Sequence, residues 1–256
     1  MNISGTTAVV TGAASGLGAA TAAKLASLGA KVVGFDLAQS ITSAAEVEGV
    51  SYTEVDVTDP AAVSRGLDVA AEVAVESGQP FSIVVNCAGI APSARILSRK
   101  GVHDAGLFAK VIDINLNGTF HVLSLAAERI AANEPDEQGQ RGVIVNTASV
   151  AGYEGQIGQV AYAASKGGVI SMTIAAARDL AQYGIRVNTI APGVVETPLL
   201  ATVSDEFREA LEASVPFPSR LARPDEYAAL ASFLISHDYM NGEVVRMDGA
   251  LRMAPR

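Results

Sequence analysis

One cysteine, three histidines and no tryptophan occur among 256 residues, and each shortage removes a class of chemistry. A single Cys87 closes no intrachain disulfide and builds no cysteine-rich metal site. His103, His121 and His237 are scattered along the chain, so a histidine-based zinc site is not expected, and no metal is. His121 reads as an ordinary helix residue, His237 as a turn residue and His103 as a solvated residue on the side where substrate would enter. Positive charge is also short: 18 Lys and Arg against 27 Asp and Glu leave a net charge of −9. That balance argues against nucleic acid or an anionic membrane as a partner. No apolar run approaches the length of a membrane span, and no basic start is followed by a long apolar stretch. The expectation is a soluble, cytoplasmic protein, with an organelle such as the mitochondrion left open.

Small apolar residues are plentiful instead: 49% of the chain is hydrophobic, and 24 residues are glycine. The length suits one large α/β domain spanning 1–256. Short β-branched runs alternate with longer helical patterns. The strand candidates are Thr6–Thr11, Lys31–Asp36, Ser51–Val55, Ile83–Asn86, Val143–Thr147, Ile185–Ile190 and Val244–Met247. Helical stretches are expected at about 16–29, 60–77, 107–132, 158–181 and 224–236. Strands that are apolar throughout, rather than alternately, indicate a parallel sheet covered on both faces. The fold class is therefore α/β, a Rossmann-type doubly wound parallel sheet of about seven strands. Pro92–His103 and Asn133–Gly142 look inserted. Thr197–Arg220 reads as a mostly helical, apolar segment that follows a Pro192–Gly193 hinge and covers substrate.

Tyr162 and Lys166 lie four residues apart in V-A-Y-A-A-S-K-G-G, with Ser149 thirteen residues upstream of the tyrosine. Positions i and i+4 of a helix share a face. The lysine would then favour the tyrosine phenolate, and the serine would donate a hydrogen bond to a substrate oxygen. A surface tyrosine followed by a solvated lysine has the same spacing, so context must decide.

That context begins with T-G-A-A-S-G-L-G at 11–18, which follows the first strand and opens the first helix. Its glycines do not match G-x-G-x-x-G. Even so, Gly12 permits a sharp turn, Gly16 lets backbone approach a pyrophosphate, and Gly18 lets the helix start close to the strand. Ser15 and Leu17 complete the expected cofactor loop. Asp36 closes the second strand, where a carboxylate accepts hydrogen bonds from a ribose diol and repels a 2′-phosphate. Leu37, Ala38 and Gln39 supply no cation for that phosphate, so NAD is favoured over NADP. A turn or helix-capping role is the bland reading of Asp36. Asp56 and Val57 are expected at the adenine edge. In N-C-A-G, Asn86 can tie neighbouring strands, while Ala88 and Gly89 leave room for a cofactor. Cys87 reads as a packing residue rather than a nucleophile.

Together with Asn115 in D-I-N-L-N-G-T and P-G-V-V-E-T at 192–197, these motifs resemble the short-chain dehydrogenase/reductase superfamily over nearly the whole chain. The resemblance implies that Tyr162 is the catalytic acid/base and Ser149 the substrate-oxygen donor. Lys166 would bind the nicotinamide ribose, and Asn115 would hold a water linking Lys166 to solvent. Pro192, Gly193, the Val195 backbone and Thr197 would surround the nicotinamide. The stretches 133–150, 215–220 and 241–250 are similar to type II 3-hydroxyacyl-CoA dehydrogenases, a subgroup also associated with hydroxysteroid oxidation. The resemblance implies a homotetramer, which small Ala163, Ala164, Gly167 and Gly168 would help by admitting a second helix. Packing within the chain would use the same small residues. Gln156, Arg95, Arg99 and Lys100 are candidate substrate contacts, the three cations for the phosphates of coenzyme A. Three readings stay open: a 3-hydroxyacyl-CoA dehydrogenase, a dehydrogenase of a steroid or other secondary alcohol, and a non-catalytic dinucleotide-sensing scaffold. The last would not need Tyr162 and Lys166 together.

Overall fold

Apolar, mostly β-branched residues dominate the central segments, and in the computed structural model these form one seven-stranded parallel sheet. The structure describes residues 1–99, 101–198 and 205–255. Its strands are β1 (Thr7–Thr11), β2 (Lys31–Asp36), β3 (Val50–Glu54), β4 (Phe81–Asn86), β7 (Gly142–Thr147), β8 (Ile185–Pro192) and β9 (Val244–Met247), with β5 (Leu97–Ser98) and β6 (Gly101–Val102) in a separate antiparallel hairpin. The helices are α1 (Gly16–Ser27), α2 (Ala38–Ile41), α3 (Pro60–Ser77), α4 (Ala105–Ile112), α5 (Gly118–Ile130), α6 (Ala151–Glu154), α7 (Val160–Leu180), α8 (Asp205–Ala213) and α9 (Pro224–Ser236). The order across the sheet is β3-β2-β1-β4-β7-β8-β9, so the winding reverses between β1 and β4. Ligands bind at such a switch point, outside the carboxyl ends of the strands.

Alternate strand residues serve opposite faces, and both faces are dry. Ala8, Val10, Ile83, Val85, Val143 and Val145 pack with Leu25 of α1 and Tyr227, Leu234 and Ile235 of α9. Val9, Val33, Phe35, Val84 and Ile144 pack with Leu67 of α3 and Val122, Ala126 and Ile130 of α5 on the other side. Small side chains let these layers approach closely. A Cβ on Gly66 would meet Val55 at 2.6 Å, and one on Gly118 would meet Val57 at 2.6 Å.

Four differences from the sequence expectations have physical causes. The single helix expected over 107–132 is broken by a π turn at Asp113–Asn117, which buries Asn115 completely. The 97–102 hairpin is too short to leave a periodic signal. Within 197–220, residues 199–204 lie outside the described residues, and α8 is not apolar but a charged helix, with Arg208 paired to Glu196 and Glu212. Two of the small residues of α7 pack within the chain, while Ala164 is exposed: a Cβ on Gly168 would strike Leu116 at 2.8 Å, and Ala163 fills the space beside Gly155. Val160–Tyr183 is long and apolar enough, by length and composition alone, to cross a membrane. In this fold it packs along β8 and turns Lys166, Val169 and Thr173 inward.

Candidate active site

Backbone geometry at the β1–α1 junction makes a place for an anion. Gly12 and Gly16 adopt φ of +65° and +54°, which side-chain-bearing residues avoid. A Cβ on Gly12 would touch the Ala88 backbone at 3.0 Å, and one on Gly18 would lie 2.1 Å from the Gly12 carbonyl oxygen. The turn is held against the end of β4 by the Thr11 hydroxyl, which accepts from the Cys87 and Ala88 amides at 3.1 Å each. Ser15, the N-cap of α1, makes no side-chain cap, so the first-turn amides face the cleft.

Asp36 combines its two sequence readings. Its carboxylate accepts from the Ala14 amide at 2.9 Å and the Leu37 amide at 2.8 Å, which fixes the glycine turn. It also lines the cleft beside Ser40, and each oxygen keeps a lone pair for a diol. Asp56 lines the cleft too, its carboxylate held by the Thr58 amide and hydroxyl at 2.9 and 2.7 Å. Val57 stands beside it.

At the other end, β7 delivers Ser149, and α7 returns Tyr162 and Lys166 to the same spot. Ser149 accepts from the Ala151 amide at 3.1 Å, and its hydroxyl stands beside the Tyr162 phenol in the cleft. Burial pushes the Tyr162 phenol above its ordinary value, and Ser149 offsets part of that rise. The lysine does not act on the phenol as the spacing suggested. Its Nζ lies 5.9 Å from the Tyr162 ring centre and donates to the Thr147 carbonyl at 2.7 Å. Burial lowers its own pKa to about 8.

A buried ammonium of this kind has a pH signature. Folding is disfavoured by this group below about pH 8, and the cost vanishes as pH rises from about 8 to 10.5, where only the unfolded chain still holds the proton. The stability of the ligand-free protein should therefore rise relative to Lys166→Met across that window, by about 3 kcal/mol. Urea unfolding at several pH values checks this, and parallel profiles for the two proteins would contradict it.

Several expected site residues act from behind the cleft wall. Asn115 donates from Nδ2 to the Ile90 carbonyl at 2.9 Å and to Ser165 Oγ at 3.0 Å, and its Oδ1 accepts from the Ile90 amide at 2.8 Å. Ser165 in turn donates to the Tyr162 carbonyl at 2.8 Å. The Asn115 side chain thus joins the loop after β4 to the turn of α7 that carries the tyrosine. Asn86 is not in the cleft. It is buried and donates to Asn146 at 2.9 Å, tying β4 to β7 as one sequence reading expected. The Cys87 thiol packs 3.8 Å from Thr147 and Tyr227, and burial pushes its pKa up, as suits a packing residue.

Pro192, Gly193, Val195 and Thr197 line the cleft. A parallel bridge to Ala222 uses the Val194 carbonyl and the Glu196 amide, which leaves the Val195 amide and carbonyl outside the ladder. The expected substrate contacts fare differently. Arg95 and Arg99 are exposed on the hairpin segment and do not line the cleft, and Lys100 lies outside the described residues. Gln156 is turned away from the cleft and donates to the Ala254 carbonyl at 3.1 Å. Gln159, Ile90, Lys110 and Met253 line the cleft and were not anticipated. Thr58 lines it too and had a readable signal, as the third residue of an Asp-x-Thr turn.

The cleft encloses about 920 Å³, from Asp36 at one end to Tyr162 and Met253 at the other. Its residues fit a nicotinamide dinucleotide: a turn that tolerates no Cβ, an open helix N-terminus, a carboxylate for a diol and a free backbone amide–carbonyl pair.

Known proteins bear this out. A family model described as Enoyl-(Acyl carrier protein) reductase matches residues 12–251. The chain is 48% identical over 259 residues to the Bos taurus 3-hydroxyacyl-CoA dehydrogenase type-2, covering 99% of this chain and 98% of that one. It is 48% identical over 258 residues to the Homo sapiens protein of the same name, with the same coverage. The crystal structure of 3-hydroxyacyl-CoA dehydrogenase type-2 from Mycobacterium avium matches with a TM-score of 0.89 at 46% identity, covering 98% of both chains. Sheet order, cleft and likeness agree: the chain belongs to the short-chain dehydrogenase/reductase family, enzymes that oxidise or reduce small molecules with a nicotinamide dinucleotide.

Proposed function

We propose that this enzyme interconverts a 3-hydroxyacyl-CoA and the corresponding 3-oxoacyl-CoA, using NAD. The observation that carries the reaction is the meeting of the Ser149 and Tyr162 hydroxyls at the nicotinamide end of the cleft. The nicotinamide, when bound, supplies or accepts the hydride. Ser149 donates a hydrogen bond to the substrate oxygen and fixes its position. In the reductive direction the Tyr162 phenol gives its proton to that oxygen as the carbonyl becomes an alcohol. The raised phenol pKa keeps this donor protonated at neutral pH. In the oxidative direction the ionised phenol takes the hydroxyl proton. Lys166 binds the nicotinamide ribose. Asn115 holds the loop after β4 and the tyrosine turn in register.

NAD is assigned because Asp36 faces the ribose position and residues 37–39 carry no cation. Asp36→Ala should weaken NAD and relax discrimination against NADP. Repulsion of a 2′-phosphate is lost along with the diol acceptor, and a charge-assisted bond contributes about 1.5–3 kcal/mol, or roughly 10–100-fold. Comparing kcat/KM for both cofactors decides it, and a wild-type preference for NADP would reject the assignment.

The acyl-CoA assignment rests on the names of the relatives at 48% identity and on the sequence stretches that resemble them. The test sets acetoacetyl-CoA beside a panel of ketosteroids and simple ketones, all with NADH. The proposal expects the CoA ester to have the highest kcat/KM, and a steroid leading the panel would overturn it. A homotetramer and a cytoplasmic setting complete the proposal. Exposed apolar Phe120 on α5 and Ile174 on α7, with exposed Ala164 on α7, support the assembly.

A further inference from the structure

The last residues of a chain usually fray unless something ties them down. Here the segment after β9 is tied at every step. Arg246 is held by Glu154 and by Asp248 at 2.7 Å, and it donates to the Leu251 carbonyl at 3.0 Å. Leu251 is buried, and Arg252 pairs with Asp248 at 3.1 Å. Farther out, the Ala254 carbonyl accepts from Gln156 Nε2, and the Pro255 carbonyl from the Ile157 amide, each at 3.1 Å. Both partners lie in the short link between α6 and α7, so the tail runs beside the segment that joins Ser149 to Tyr162. Between these anchors, Met253 turns into the cleft, close in sequence terms to nothing else that lines it.

Topology says which end of the cleft it reaches. Asp36 and Asp56 follow β2 and β3 at one edge of the sheet, while the tail leaves β9 at the opposite edge. The dinucleotide's adenosine half belongs to the first edge, so Met253 lines the cleft at the end away from it. A thioether there is apolar, flexible and adaptable in shape.

We infer that the chain's own C-terminal tail is a wall of the substrate site, and that Met253 is a specificity-determining residue that limits the size of the group on the reacting carbon. Gln156 is a positioning residue that acts through Ala254. The inference rests on the reading of this cleft as the site of alcohol–ketone interconversion, but not on the substrate being a CoA ester.

The experiment measures kcat/KM with NADH for two pairs of substrates, acetoacetyl-CoA with 3-oxodecanoyl-CoA, and cyclohexanone with a bulkier bicyclic ketone. Met253→Ala should raise the large-to-small ratio about tenfold, and Met253→Phe should lower it by a similar factor, the range expected when a few methylene-sized volumes change in an apolar pocket. NADH affinity should stay within about twofold of wild type in both. Gln156→Leu should shift the ratio as Met253→Ala does and add nothing in the double variant, whereas a direct substrate contact would add its own effect. An unchanged ratio in both Met253 variants, with NADH binding intact, would overturn the inference. Should the wild type turn over only the simple ketones, the acyl-CoA reading fails, and the ketone pair still decides the role of Met253.

Discussion

Replacing Tyr162 with phenylalanine should lower kcat by about 10²–10⁴-fold, the usual contribution of a positioned general acid, while dinucleotide binding stays nearly unchanged. The substitution removes one oxygen. The ring keeps its place on α7, and Lys166 keeps its bond to the Thr147 carbonyl, so the cofactor wall is preserved. Ser149 keeps its contact with the Ala151 amide and can still orient a substrate oxygen. What is lost is the phenolic proton that the substrate oxygen takes up. Steady-state turnover and a binding titration of NADH measure the two halves of this expectation. Turnover within a few-fold of wild type would remove Tyr162 from the chemistry, and joint loss of turnover and binding would show that the variant had damaged the cleft instead.

Gly18→Ala should damage both stability and cofactor binding. Its Cβ would lie 2.1 Å from the Gly12 carbonyl oxygen and 2.6 Å from the carbonyl carbon, both backbone atoms that cannot swing aside. Either α1 must retreat or the turn must open. Overpacking of this kind costs about 3 kcal/mol of stability. A displacement of about 1 Å at the pyrophosphate position is expected to lower kcat/KM about 100-fold. Gly78→Ala is the contrasting case. There φ is +67° and a Cβ meets nothing within 4 Å, so only the left-handed backbone resists, at about 1 kcal/mol, with cofactor binding untouched. Urea unfolding and NADH titration of both variants separate the two effects. Equal stability losses would mean that close approach of α1 to the turn matters no more than backbone conformation.

How much of this was legible in the sequence depends on how local each signal was. Most strands were readable because apolar β-branched runs buried on both faces leave no alternation, and the β–α repeat pointed to a doubly wound parallel sheet. The glycine turn, Asp36 and the Ser149–Tyr162–Lys166 set were readable because each needs particular residues at fixed spacing. The π turn at 113–117 was not, since D-I-N-L-N has ordinary helical composition and the extra residue is set by packing of Asn115 against Ile90 and Ser165. Nor was the direction of the tyrosine shift: spacing placed a cation nearby, but burial of the phenol outweighs it in the ligand-free structure. Met253, and the tie of Gln156 to the tail, were beyond sequence reading for a different reason. Gln156 and Ala254 are 98 positions apart, and no pattern within either segment announces the other.

The central claim is that hydride passes between the nicotinamide and the carbon bearing the oxygen held by Ser149 and Tyr162. The most direct measurement uses acetoacetyl-CoA with NADH carrying deuterium at the transferable position, followed by mass spectrometry of the product. The account predicts 3-hydroxybutyryl-CoA with one deuterium on carbon 3, formed by wild type and nearly absent with Tyr162→Phe. Product without deuterium, or NADH oxidation with no hydroxyacyl product, would contradict it.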